Sequence, residues 1–451
     1  MKLIITFFCF INVNLAINAQ NKLFNEVVSN IKSTYPGYKD LKIKSSFDKY
    51  VFHIKNKEKD TLKQIALIFQ FFNDNHLRHY TFPNKSYKAD TIYERNYKNV
   101  IKPYHSGQLN EYWIDELNGC IIVINKENTN VLIGYTFDSK TKAFLKKGNV
   151  CFELERKKNS KVYFGKFNHP YRSYVIYKNA EFANDSTFII KGEMKFRRIK
   201  KNEIIIMDST IVETPQLSII DSNTIVIKIP SCEGEYTTIL DSLVKANKVK
   251  LAYTNHLIID IRDNVGGYTN IYQSLLPYIY TNPIQRQSEY VYPTLQKINF
   301  YKERLEVRKR QRDSLRVKNI ENTLLKMYAH INSSYYDTGS LYIQQNVMPY
   351  PKKVSLIVNY KCQSAAELMI MDFKQSSKVI VYGESTSGAV DFLDDEEYTD
   401  ENNNYYYYIP TTKRVITKQF PNLENVGIKP DIKMEFNSNY IYDFFIKMKI
   451  K

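Results

Sequence analysis

Three short stretches carry residues whose types and spacing could do chemistry. The first is LIIDIRDNVGG, residues 257–267. A run of strand formers ends in Asp260, Arg262 and Asn264, then in the paired glycines Gly266 and Gly267. Paired glycines after a strand permit positive φ and a close approach of backbone to a ligand. Successive N–H groups there can bind an oxyanion, although a plain strand-to-helix turn would use the same letters. The second stretch is VSLIVNYKCQSAAELMIMDF, 354–373, where a buried strand breaks at Asn359-Tyr360-Lys361 and a helical pattern begins just after Ser364. A serine at a helix start meets free N–H groups and a dipole that favour developing negative charge, which suits a nucleophile. It equally suits an N-cap, because Ser364 and Glu367 spell the S-x-x-E capping box. The third is FFNDNHLRHY, 71–80, with His76 and His79 three residues apart. Two such histidines could join a metal site, but no third ligand stands nearby, and a satisfied structural histidine is the commoner outcome.

The elements that must position these residues follow from periodicity. LFNEVVSNIKSTYP places Leu23, Val27, Val28 and Ile31 on one helical face that ends at Pro36, and LKQIALIFQFFNDNHLRHY reads as a second helix with a dense apolar face. Residues 93–215 alternate short β-branched or aromatic runs with Asn, Lys and Gly, a β-rich region with frequent turn signals. From 216 the pattern becomes β-α-β-α: TIVIKIP, TTILDSLVKANKV, LAYTNHLIIDIRDNVGG, then TNIYQSLLPYIY as a helix. That order implies a layered α/β domain, which resumes at 353. Between lies a helical insertion, about 295–345, whose KERLEVRKRQRDSLRVKN segment is strongly basic. It reads as a solvated helix with i,i+4 pairs such as Glu306 and Arg310, or as a lid or a surface for an anionic partner. DFLDDEEYTDENNN, 391–404, is an acidic loop that could shield that face.

Composition sets the bounds. The chain has 451 residues, 43% hydrophobic and 25% charged, with a formal net charge of +17. That is enough for two or three domains with cores. MKLIITFFCFINVNLAINAQ has a lysine, an apolar run and a small residue, and is expected to be a secretory signal peptide cut near Ala19. Export to a periplasm, an outer surface or the medium makes nucleic acid a poor partner and leaves a solvated surface, or anionic cell-surface components, as the meaning of the charge. Cys120, Cys151, Cys232 and Cys362 show no metal spacing, and nothing in their spacing selects a disulfide.

Taken in order, LIIDIRDNVGG, CQSAAE, YGESTSG and LENVGIKPDI resemble the tail-specific (C-terminal processing) serine peptidase family, which includes the tricorn core protease. The resemblance covers about 216–435 outside the insertion. It implies a ClpP/crotonase-like α/β core within an α+β multi-domain chain: leader 1–19, helical segment 20–92, β-rich module 93–215 and peptidase core 216–451. Many members place a PDZ domain before the core; 93–215 shows none of its glycine signatures and is either a diverged PDZ or an unrelated module. In the processing branch a lysine follows the T-x-G glycine and forms a Ser/Lys dyad; here Ala389 occupies that place. Lys374 points some 80° away from Ser364 on an ideal helix, and Lys378 lies roughly 21 Å along the axis. The resemblance to the tricorn branch instead implies Ser364 as nucleophile, His76 as base and Glu424 as its support through Asn75, where that branch has serine. The N–H groups of Gly266 or Gly267 and of Ala365 would form the oxyanion hole, with His79 as competing base. No metal or cofactor is implied. The expected activity is an exported serine endopeptidase acting on protein or peptide substrates through an acyl-enzyme; the rival is an inactive relative that binds peptides or a hydrophobic ligand.

Overall fold

A computed structural model describes residues 22–39, 41–81, 112–115, 120–128, 130–139, 145, 148–168, 175–191, 193–200, 214–400 and 405–434. The leader read at 1–19 and the stretch 82–111 lie outside these. The chain divides into two compact units. The first comprises residues up to 78, 214–400 and 407–434; the second comprises 79–213, 401–406 and 435–451. No helix among the described residues is long and apolar enough to cross a membrane.

The first unit is built on a six-stranded sheet in the order Gln216–Ile219, Thr224–Lys228, His256–Asp260, Lys353–Val358, Val379–Gly383, Ile432–Lys433. The first pair is antiparallel and the remaining pairs are parallel. His256–Asp260 is buried at every position, and Lys353–Val358 at all but its first. That burial on both faces is why these strands read as continuous apolar runs. Helices Gly234–Ala246 and Ala365–Phe373 connect parallel strands and add Leu240, Val244, Met369, Ile370 and Phe373 to the core. TNIYQSLLPYIY departs from expectation: it folds as a 3-10 turn, Gln273–Leu275, and a single helical turn, Leu276–Ile279. Pro277 stands in its middle, where the ring removes a donor and crowds the preceding turn.

Ahead of the sheet, a helix over 22–34 and the helices Leu41–Lys57 and Thr61–Phe72 gather an aromatic cluster. Tyr35 lies edge-on to Phe72 at 4.9 Å and Tyr38 to Phe47 at 5.4 Å. The insertion forms a helical hairpin, Leu295–Arg310 and Ser314–Ala329, over a small core of Val291, Ile298, Ile320, Leu324 and Met327. Its basic face stays exposed, but Lys297 is buried and its ammonium reaches Asp394 at 2.8 Å, Thr412 at 2.9 Å and Thr411 at 3.0 Å. The acidic segment is a strand, Phe392–Thr399, rather than a loop, and it is hydrogen-bonded to the start of the hairpin through Lys297, Thr294 and Gln296.

The second unit is a closed barrel. Eight antiparallel strands run in sequence: Tyr112–Asp115, Cys120–Asn128, Val131–Ser139, Val150–Glu155, Val162–Asn168, Val175–Asn184, Thr187–Ile190 and Met194–Ile199. Each pairs with the next. The last returns to the first through Tyr112↔Ile199 and Trp113↔Arg198, so no edge is left in the ring. The interior is filled by Trp113, Phe152, Phe167, Phe188 and Phe196, as eight strands require. No helix occurs among the described residues of this module, whose described strands follow one another as an up-and-down meander.

Candidate active site

The parallel register pairs Asp260 with Ile357, so the chain leaves both central strands at one edge of the sheet. Loops there are where open α/β sheets bind their ligands. The loops 261–267 and 359–364 are laced together. Gln363 N–H donates to the Asn264 carbonyl at 3.1 Å, and the Cys362 thiol donates to the Ile261 carbonyl at 3.1 Å. Asn359 and Asp263 exchange bonds of 3.0 and 2.9 Å. Arg262 clamps the buried Asp260 carboxylate with bonds of 2.9 and 2.7 Å. Asn264 is fully buried, donating to the Ile229 carbonyl at 3.1 Å and accepting from Gly266 N–H at 2.9 Å.

Ser364 sits at φ 53°, ψ −119°, a region that side chains rarely adopt. Its N–H is shared between the Ala389 carbonyl at 2.9 Å and Glu367 Oε2 at 3.2 Å. Glu367 is buried and also accepts from Thr386 Oγ1, from Gly388 N–H at 2.9 Å and from Ala389 N–H at 2.7 Å. Burial raises its pKa, against the pull of those donors. The acid of the capping box thus ties the helix start to the 386–389 loop, and cap and nucleophile are compatible readings of one serine.

Gly266, at φ 94°, lies against the serine itself. A Cβ there would stand 2.8 Å from Ser364 Cβ and 2.8 Å from the Gln363 carbonyl oxygen. Gly266 N–H is held by Asn264, whereas no acceptor for Gly267 N–H or, at the open first turn of its helix, Ala365 N–H occurs among the described residues.

The histidine arrives on the turn after Thr61–Phe72. That helix stops earlier than its apolar pattern suggests, because Asn73 takes the left-handed conformation, φ 51°. Asn425 Nδ2 holds the Asn73 carbonyl. Asn75 N–H donates to Glu424 Oε1 at 3.0 Å, and Asn75 Nδ2 donates to the Gly388 carbonyl at 3.2 Å. Ser364 and Asn75 thus bind the neighbouring carbonyls of Ala389 and Gly388, which brings the His76 turn to the serine's own loop. The link from Glu424 runs through the Asn75 backbone, not through an amide relay to the ring. His76 is buried, makes no hydrogen bond to Ser364, and its Nδ1 lies 3.9 Å from Asp74 Oδ1. Asp74 accepts from His76 N–H at 2.8 Å and from the Tyr35 hydroxyl at 2.7 Å. FNDNHLRHY resembles the D-x-H segment that some members of the tail-specific peptidase family carry, but the sequence alone assigns no role to its Asp74.

The Glu424 turn is braced from below. Asp391 accepts from Leu423 N–H at 2.9 Å and Glu424 N–H at 3.2 Å, and Arg414, itself buried, pairs with Asp391 and donates to the carbonyls of Phe420 at 2.9 Å and Pro421 at 2.7 Å. Burial first, then the Asp74 carboxylate, hold Glu424 well above the usual carboxylate range. Burial likewise raises Asp74.

The other candidates are placed elsewhere. His79 lies in the second unit, between the rings of Tyr177 and Tyr405, where burial pushes its pKa down to about 3. Lys374 pairs with Asp431, and Lys378 reaches the Met348 carbonyl. Ala389 is buried. Cys120, Cys151, Cys232 and Cys362 are buried free thiols. No cluster of three or more metal-ligating side chains occurs among the described residues.

Residues 223–434 match the model of peptidase family S41. The core is an S41 peptidase domain. The solved structures similar to the chain include a mutant of CPAF, at TM-score 0.52 and 12% identity over 96% of both chains, a likeness that shows the fold. They also include a putative peptidase of Parabacteroides merdae, at TM-score 0.42 and 10% identity over 94% of this chain and 92% of that one. The photosystem II D1 C-terminal processing protease follows at TM-score 0.40 and 10% identity over 93% of this chain and 95% of that one. No curated protein matches the chain. The S41 domain takes in Ser364, the Gly266-Gly267 loop and Glu424, whereas His76 lies upstream of the matched residues. S41 proteins are peptidases, and their substrates are proteins or peptides.

Proposed function

We propose that the protein is an exported serine endopeptidase in which Ser364 attacks a peptide carbonyl and His76 serves as general base. The observation that carries this reading is the meeting, on one loop, of a serine in a strained strand-to-helix turn and a buried histidine from a distant segment. Gly266 packs against the serine, and the N–H groups of Gly267 and Ala365 have no acceptor among the described residues. In the first step the Ser364 oxygen bonds to the carbonyl carbon while its proton passes to His76, and Gly267 and Ala365 N–H hold the oxyanion. In the second the C–N bond breaks and His76 returns the proton to the leaving amine. Water then attacks the acyl-enzyme by the same route. Hydrogen bonds of this kind commonly tighten only when substrate is bound, which accommodates the absence of a His76–Ser364 bond.

That same absence, with Ala389 in the lysine's place, favours the second reading, an inactive peptide-binding relative. Incubation of an unstructured protein such as reduced casein with the purified chain separates the two. Cleavage by the wild type and none by Ser364→Ala supports the peptidase; binding without cleavage by both proteins supports the rival.

A further inference from the structure

We propose that Asp74, fixed by the Tyr35 hydroxyl, positions the His76 imidazole and balances its charge, while Glu424 braces the peptide ahead of it. This rests on the reading of His76 as base. His76 Nδ1 is buried and has no hydrogen-bond partner among the described residues. An orphaned buried donor is unfavourable and calls for a partner in the working state. The carboxylate facing it is Asp74, whose Oδ1 needs to close by only about 1 Å from 3.9 Å to make a hydrogen bond. With Nδ1 committed to Asp74, Nε2 is the nitrogen left for the serine.

The other charges around this turn are already matched. Asp394, on the strand Phe392–Thr399, is paired with Lys297 at 2.8 Å, and Asp395 with Arg78 at 3.0 Å. Asp391 is paired with Arg414. Glu367 is saturated by the Thr386 hydroxyl and the N–H groups of Ser364, Gly388 and Ala389. Among the described residues Asp74, Glu424 and Glu367 have no Lys or Arg partner, and the four donors on Glu367 already fill it. Glu424 in turn spends Oε1 on Asn75 N–H and Oε2 on Asp391 N–H, and neither bond involves the ring. An imidazolium formed at His76 therefore supplies the missing cation to Asp74. Tyr35 is buried between Phe72 and Phe392, so its hydroxyl fixes one Asp74 oxygen and leaves the other toward His76. Donation from Nδ1–H to Asp74 then sets tautomer and ring orientation before attack, and no proton passes on to the carboxylate.

The test is the second-order rate of fluorophosphonate labelling of Ser364 as a function of pH in the full chain. Asp74→Asn is expected to lower the rate by about a hundredfold or more and to move the acid limb of the profile to lower pH, because no anion then favours the protonated ring. A merely structural role would lower the rate without moving the limb. Asp74→Glu restores part of the rate and the limb. Glu424→Gln slows labelling but leaves the limb in place. Should Asp74→Asn not fold, Tyr35→Phe carries the test, with labelling slowed about tenfold or more through loss of one bond to a charged group. An Asp74→Asn profile that overlays the wild type, a limb that moves in Glu424→Gln instead, or an unslowed Tyr35→Phe would each overturn the proposal while leaving His76 as base. Wild-type labelling in His76→Ala would sink both.

Discussion

Gly266→Ala isolates the contact that holds the nucleophile. Gly266 sits at φ 94°, where an L side chain is strained by about 1–3 kcal/mol. The added Cβ would meet Ser364 Cβ at 2.8 Å, the Gln363 oxygen at 2.8 Å and Ala365 N at 3.1 Å. Ordinary separations are about 3.5–4.0 Å, so something must move by roughly 0.5–1 Å. The partners that must move are the serine, the residue before it and the N–H after it. Strain and crowding together should destabilise the first unit by about 2–4 kcal/mol. A displacement near 1 Å in a reacting group can slow reaction about a hundredfold. The assay is paired: thermal unfolding followed by near-ultraviolet circular dichroism, and the rate of fluorophosphonate labelling. Gly234→Ala is the control, since its Cβ would meet only the Tyr268 ring at 3.3 and 3.4 Å at a helix start. A Gly266→Ala protein that melts and labels like the wild type would refute the claim that backbone closeness at this glycine sets the serine's position.

Three further outcomes follow from the same geometry. Glu424 has a folded-state pKa raised above its unfolded value, so its contribution to stability is full below about pH 4 and is lost as pH rises through the raised value. Glu424→Gln should therefore flatten the alkaline fall in melting temperature, and an unchanged pH dependence would count against a buried, strained carboxylate. Arg414→Met leaves Asp391 buried and unpaired, which should cost about 3–5 kcal/mol and weaken labelling by loosening the Glu424 turn; denaturant midpoints and labelling rates measure both. Lys297→Met strips three bonds from Asp394, Thr411 and Thr412 at the root of the hairpin. It should cost about 1–3 kcal/mol and raise protease cutting within 295–329, which limited trypsin digestion reads directly.

Much of the core was legible because its signals are local. The glycine pair, the serine and the T-x-G loop each follow the end of a buried parallel strand, and their order is plain in the sequence. The capping-box reading of Ser364 and Glu367 was also sound, since Glu367 both receives the Ser364 N–H and anchors the loop carrying Ala389. What stayed hidden depends on long-range pairing. Closure of the barrel turns on Tyr112 meeting Ile199, which no short pattern announces. The end of Thr61–Phe72 turns on Asn73 adopting positive φ and on Asp74 finding the Tyr35 hydroxyl, both dictated by distant packing. The acidic segment became a strand because it pairs with the tyrosine-rich strand Tyr405–Arg414, against its own weak β preference. The D-x-H spacing of Asp74 and His76 is legible in the sequence; the bond to Tyr35, 39 residues away, is not.

The most direct measurement is the site of fluorophosphonate attachment, located by mass spectrometry of the digested full chain. The account predicts a single modified peptide carrying the label on Ser364 in the wild type and none in His76→Ala. Label on another residue, or equal labelling of Ser364 without His76, would contradict it.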